Sequence, residues 1–248
     1  MLIDYADLSL IGAREDNQDR VAIAVSEHAV LLVVIDGMGG HADGAKAADT
    51  ALKSMLDSFW QSSLPIFDPL GFVHLALGRA HDDVCRLGTG LTVDSRPRAT
   101  TAICLVQDGS AYWGHVGDSR IYLMRRGQVA DRTRDHSHVE LLLREKKITQ
   151  EEVAHHPMRN FVESCLGGDP AVPEMTISGR KSLVAGDVLM LCTDGIWSNL
   201  SDATIAGYCT DESQDLRAAL EVLGHKAVAA SAPFSDNSTA AILRWKGE

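Results

Sequence analysis

Ala29-Val30-Leu31-Leu32-Val33-Val34-Ile35, closed at once by Asp36-Gly37-Met38-Gly39-Gly40-His41, is the stretch from which the rest of the chain can be read. An unbroken run of β-branched residues and leucine suits a short buried strand, and it falls far below the roughly 20 residues a membrane-spanning helix needs. Just before it, Val21–Val25 is a second strand, set off by the polar Ser26–His28. The apolar run ends in a carboxylate and a cluster of glycines.

Moving outward, Ala48, Leu52, Met55, Leu56 and Phe59 recur at helical spacing, which predicts an amphipathic helix over Ala45–Trp60. Pro65 and Pro69 mark the loop that follows. Val73, Ala76, Leu77, Ala80, Val84 and Leu87 give a second helix with Gly88 as its stop. Strands return at Thr101–Val106, Ala111–Val116 and Ile121–Met124, with Asp108-Gly109 and Arg126-Gly127 as hairpin turns. From Ser137 to Asn160 the chain is charged and helical, with a capping box from Thr149 to Glu152, and is read as a flap over a site. Val188–Cys192 is another apolar strand, followed by Thr193 and then Asp194-Gly195. A helix over Leu216–Val228 precedes a strand at Thr239–Leu243 entered through Asp236-Asn237. Strands in runs, with helices grouped between them, predict an α+β fold of antiparallel sheets covered by helices.

Composition narrows the function. The 248 residues fit one large domain, and 45% apolar residues supply its core. A net charge of −11 disfavours a nucleic-acid partner, which calls for basic stripes. Such a chain can handle phosphate only where bound cations invert the local field. The five cysteines, Cys85, Cys104, Cys165, Cys192 and Cys209, form no CxxC pair and read as reduced thiols of a cytoplasmic protein. Asp4 and Asp7 occupy the place where a signal peptide would be basic and then apolar, so neither a leader nor a membrane span is expected.

One chemical idea repeats. Asp36 follows an apolar strand, Asp118 follows Trp113–Gly117, Asp194 follows Val188–Cys192 after one threonine, and Asp236 precedes the strand near the end of the chain. Any one Asp-Gly is as readily a turn. Several abutting buried strands are better read as carboxylates aimed at one point, where they would repel each other unless hard divalent cations held them together. Glycine after Asp36 lets the Gly37 carbonyl serve as a further ligand, and two ions about 3.5–4 Å apart can share one attacking water. Arg14 has the fork that matches a phosphate, and His41, close behind Asp36, can protonate a departing oxygen. Other motifs fail. Gly44 is followed by Ala45 where a phosphate-binding loop needs lysine, and the stretch after Asp36 lacks the ligands of an EF-hand. His136 with His138, and His155 with His156, lack further zinc ligands and read as exposed flap residues.

These residues fall into a familiar order. Arg14-Glu15-Asp16-Asn17-Gln18-Asp19, Asp36-Gly37-Met38-Gly39-Gly40-His41 and Gly117-Asp118-Ser119-Arg120 come first. Thr133-Arg134-Asp135-His136-Ser137, Leu166-Gly167-Gly168, Cys192-Thr193-Asp194-Gly195-Ile196-Trp197 and Asp236-Asn237-Ser238-Thr239 follow. In this series the chain resembles the PPM (PP2C-type) metal-dependent Ser/Thr protein phosphatases, compact bacterial type.

The resemblance implies a four-layer αββα sandwich spanning 1–248, two antiparallel sheets flanked by helix pairs, with a variable flap at about 137–165. It implies hydrolysis of phosphoserine and phosphothreonine on proteins, reversing the work of a bacterial Ser/Thr kinase, by a monomer that needs neither nucleic acid nor membrane. Two or three Mn²⁺ or Mg²⁺ ions are implied. Asp36 would bridge two of them with the Gly37 carbonyl on the second, Asp194 and Asp236 would complete the first, and Asp118 with Asp194 would hold a third. Arg14 would bind the phosphate, His41 would be the general acid, and Asp19 would act near the second metal through water. Gln18 stands where many members have glutamate. Hydrolysis of small phosphoesters, or a dead fold that only binds phosphoproteins, are the competing readings.

Overall fold

The computed structural model describes residues 1–38, 42–153, 155–211 and 213–247, with Ala42 by its backbone alone. His41, Gly39 and Gly40 therefore lie outside the described residues.

The opening run is the middle of a strand, β3 (Val30–Met38), which continues through Asp36 and Gly37. Strand alternation explains why it is apolar throughout. Leu31, Val33 and Ile35 face one hydrophobic cluster, and Val30, Leu32 and Val34 face another. β3 lies between β2 (Asp19–Val25) and β4 (Arg98–Gln107), and β4 pairs with β5 (Ser110–Val116). Helices α1 (Ala42–Trp60) and α2 (Pro69–Leu87) cover this sheet's outer face, burying Met55, Phe59, Val73 and Leu77 against Leu31, Val33 and Ile35. Each such fully buried aliphatic side chain contributes about 1.5–3 kcal/mol.

A second sheet of five strands runs in the order β1 (Leu2–Leu10), β12 (Ser238–Gly247), β11 (Val188–Cys192), β6 (Arg120–Arg125), β7 (Gln128–Arg132). Leu189 and Leu191 of β11 point at the first sheet, and Val188, Met190 and Cys192 point away. The outward set is covered by α5 (Asp194–Trp197), α6 (Asp202–Cys209) and α7 (Leu216–Ala230). The layers are thus helix, sheet, sheet, helix, and every strand pairing within the sheets is antiparallel. Short strands β8 (Leu166–Gly167), β9 (Thr176–Ile177) and β10 (Lys181–Ser182) extend the first sheet. Between β7 and β8 lie α3 (His138–Arg144) and α4 (Gln150–Val153).

Most expected elements are present with longer ends. Both hairpin turns carry left-handed backbone at both positions, Asp108 and Gly109 at φ 47° and 59°, Arg126 and Gly127 at 51° and 79°. The capping box is half visible, with the Thr149 N–H donating to Glu152 Oε2 at 2.7 Å. Three readings need correction. Pro69 does not sit in the loop but is the first residue of α2, where the missing N–H costs nothing and Asp68 caps the helix through Gly71 N–H. β1, β7, the short β8, β9 and β10, and helices α5 and α6 were not anticipated. His136 is not an exposed flap residue, being only 8% accessible. All five cysteines are free thiols, and Cys104, Cys192 and Cys209 are buried. Among the described residues no helix is long and apolar enough to cross a membrane.

Candidate functional site

Antiparallel pairing decides where the carboxylates meet. β3 and β5 flank β4 and so run the same way, finishing at one edge of the first sheet, and β2 starts there. In the second sheet β11 ends, and β6 and β12 begin, at a common edge. The turn Gly117-Asp118-Ser119 joins β5 to β6 and so brings the two edges together. Asp36, Asp118, Asp194 and Asp236 therefore line one open cleft of about 650 Å³, together with Arg14, Gln18 and Gly37.

Asp19, the first residue of β2, lies directly across from Asp36 in the β2–β3 register. Like charges in that position disfavour the sheet on their own. The electrostatics follow. Burial, reinforced by Asp19, Asp194, Asp118 and Asp236, raises the Asp36 carboxyl well above the usual carboxylate range. Asp194 is raised in the same way by burial and then by Asp118 and Asp236. Burial above all lifts Asp118 to about 7, with Asp135 adding to it. Asp19 is pushed up to about 6 by burial, against hydrogen bonds from Thr239 and Thr193.

Such a cluster is stable as an anion only if positive charge joins it. The donor set is all oxygen, which suits Mg²⁺ or Mn²⁺. Among the described residues no three His, Cys, Asp or Glu side chains stand close enough to enclose an ion unaided. Gly37 is needed for space, because a Cβ there would collide with the Gly44 carbonyl oxygen.

Arg14 lies on the loop between β1 and β2, and its Nη2 donates to Asp236 Oδ2 at 2.6 Å. Both side chains are solvent-accessible, so the pair is readily opened. Neutral residues that the sequence reading left without roles hold the frame. Asn237 accepts from Gln18 N–H at 2.9 Å and donates to the carbonyls of Ile11 and Asp16, stitching the Arg14 loop to the start of β12. Thr193 donates to Asp19 Oδ2 at 2.8 Å and accepts from Thr239 N–H. Arg120 and Asp135 form a bidentate pair at 2.8 Å, with the guanidinium 3.4 Å above the Trp197 ring. The only sequence signal for these was their place inside the quoted motifs.

Beside the cleft, and sharing Arg14, Asp118, Asp194 and Asp236 with it, is a groove of about 1040 Å³. Its apolar lining includes Val139, Leu143 and Val153 from α3 and α4, together with Trp197, Leu200 and the exposed Phe234.

Comparison with known proteins agrees with this geometry. The family description Protein phosphatase 2C matches residues 9–230. The serine/threonine protein phosphatase PstP of Mycobacterium tuberculosis is 32% identical over 207 residues, covering 83% of this chain and 38% of PstP, so the chain spans well under half of that relative. The S. agalactiae serine/threonine phosphatase superposes with a TM-score of 0.90 at 25% identity, over 99% of this chain and 100% of that one. The catalytic domain of PstP, solved in complex with 2 manganese ions, superposes at 0.81 with 26% identity over 99% of both chains.

Proposed function

Because the chain belongs to the protein phosphatase 2C family, we propose that it hydrolyses phosphoserine and phosphothreonine on proteins, with divalent cations held in the acidic cleft. One observation carries this reading: half-buried Asp36 faces Asp19 across the strand pair and shares one cleft with Asp118, Asp194 and Asp236, an arrangement that calls for cations. Asp36, the Gly37 carbonyl, Asp194 and Asp236 would hold two ions, and Asp118 with Asp194 a third. Mn²⁺ is the first choice, since the PstP domain was solved with it. Bound there, the cations supply a water of lowered pKa and offset charge building on the phosphoryl oxygens.

The chain's own groups do the rest. Arg14, released from Asp236, grips the phosphate with its planar fork. Asp19, fixed by Thr193, orients a water. His41, outside the described residues, gives a proton to the departing serine or threonine oxygen. The segment 137–165 forms the flap, and the groove beneath it receives the polypeptide around the phosphorylated residue. Substrates of this kind are products of a Ser/Thr kinase.

The test is a phosphothreonine peptide assay on the full chain. EDTA should silence turnover and Mn²⁺ should restore it; hydrolysis that persists in excess chelator, or that is confined to sugar phosphates, overturns the reading. His41→Ala should slow the peptide far more than an activated aryl phosphate, whose leaving group needs no proton. Equal losses on both would remove His41 from the acid role.

A further inference from the structure

His136 belongs to none of the groups above, yet it is joined to the Asp118 turn from both sides. Its backbone N–H donates to the Gly117 carbonyl at 2.8 Å, and its Nδ1 accepts the Gly117 N–H at 3.2 Å. Because a backbone amide can only donate, Nδ1 is unprotonated and the ring hydrogen sits on Nε2, which donates to Thr176 Oγ1 at 2.8 Å. The ring stacks on buried His115, centroids 4.4 Å apart, and His115 is held in turn by the Arg134 carbonyl at 2.7 Å. On its other side the His136 carbonyl accepts from Glu163 N–H at 2.8 Å, while Ser137 bridges to Val162 and caps α3. Both ends of the flap therefore close on this one residue.

Position 117 has room only for glycine. Its φ is +96°, and a Cβ would press on Thr100, whose hydroxyl bonds Ser119 at 2.8 Å. The Asp118 carboxylate hangs from a turn whose first amide is held by the imidazole.

We propose that His136 is a positioning residue for Asp118: its Nδ1, by holding the Gly117 amide, makes the flap base and the cation-bearing turn move as one body. Closing a polypeptide under the flap then sets the Asp118 carboxylate, and binding a cation at Asp118 steadies the flap. The inference rests on the reading of Asp118 as a cation ligand.

Substitutions that separate the two ring nitrogens test it. Asn places its amide oxygen where Nδ1 lies and can still take the Gly117 N–H. Gln reaches the Nε2 position and contacts Thr176 but leaves the Gly117 N–H unanswered. Direct Mn²⁺ titration of the full chain, by calorimetry or by the spin-resonance signal of free Mn²⁺, should show His136→Asn close to wild type. His136→Gln should bind the Asp118-dependent ion about 10-fold or more weakly, as loss of groups that orient a ligand usually does. Thr176→Val, at an exposed position, keeps the imidazole and removes only its Nε2 partner; it guards against misfolding and should weaken that ion by less than His136→Gln. Equal losses for the Asn and Gln variants, or unchanged binding in the Gln variant, overturn the proposal. Asp118→Asn separates the two failures. If it keeps every Mn²⁺ equivalent, the assignment of Asp118 is wrong and the proposal falls with it. If it loses one while His136→Gln does not, only the proposal falls.

Discussion

Strand β11 has an aspartate just beyond each end, and the two are handled oppositely. Asp187, before the strand, has no exposed side-chain surface and meets the Arg125 guanidinium at 2.6 and 2.7 Å, with the Val184 N–H completing its acceptors at 2.9 Å. Asp194, after the strand, is half-buried and lies among Asp36, Asp118 and Asp236. The same residue type on the same strand is a neutralised anchor at one end and one of a crowd of carboxylates at the other. Burial alone does not mark a site; a carboxylate crowded by other carboxylates does.

The contrast can be broken by exchanging what each aspartate does. Asp194→Asn should cost at least about 10²-fold in turnover, on the scale of a lost transition-state contact, while the metal-free protein melts no lower than wild type because a repulsion has been relieved. Asp187→Asn should do the reverse. Arg125 keeps 37% of its side chain exposed and is solvated when its carboxylate goes, so the loss is about 1 kcal/mol, or roughly 2–4 °C in Tm for a chain of this size, with turnover per folded molecule unchanged. If both variants lose activity and stability together, the distinction is wrong.

A smaller effect comes from pH. Asp19 and Asp118 have folded values of about 6 and about 7 against an ordinary 3.8, so the folded chain binds their protons more tightly than the unfolded one. Their contribution to folding is therefore lost as pH rises through these values and regained as it falls from about 7 towards 4. Chelated protein should melt higher at pH 5.5 than at pH 8, about the two folded values, and saturating Mn²⁺ should flatten or reverse the trend. A chelated protein that melts higher at pH 8 would contradict the cluster. The smallest expected change is at Asp108, an exposed turn residue. Asp108→Asn keeps the left-handed turn and should move stability by less than about 0.5 kcal/mol.

How far the sequence carried follows the same physics. β3, β4, β5, β6 and β11 were legible because central strands need apolar residues. Of the strands that went unseen, β8, β9 and β10 are two residues each, too short to show a pattern, and β1 and β7 are the two edges of the second sheet. In β1 only Ala6 is buried, and in β7 no residue is. Edge strands carry charge and polarity, and β1's partner β12 lies at the far end of the chain, so no local pattern announces it. In the site, the carboxylates and Arg14 stood out through their charge and their position beside apolar runs. Asn237, Thr193 and His136 did not, because a neutral group that works by fixing a backbone amide or one carboxylate oxygen looks like any other polar residue until its partner is known.

β12 lies between β1 and β11, and the residues just ahead of it, Asp236 and Asn237, close the loop that carries Arg14. On a ribosome, β1 and β11 would both emerge with an empty side facing each other, waiting for the strand that fits between them. Until it arrives, Asp236 and Asn237 have no place from which to close the loop that carries Arg14. The cleft is completed by the same event that seals the sheet.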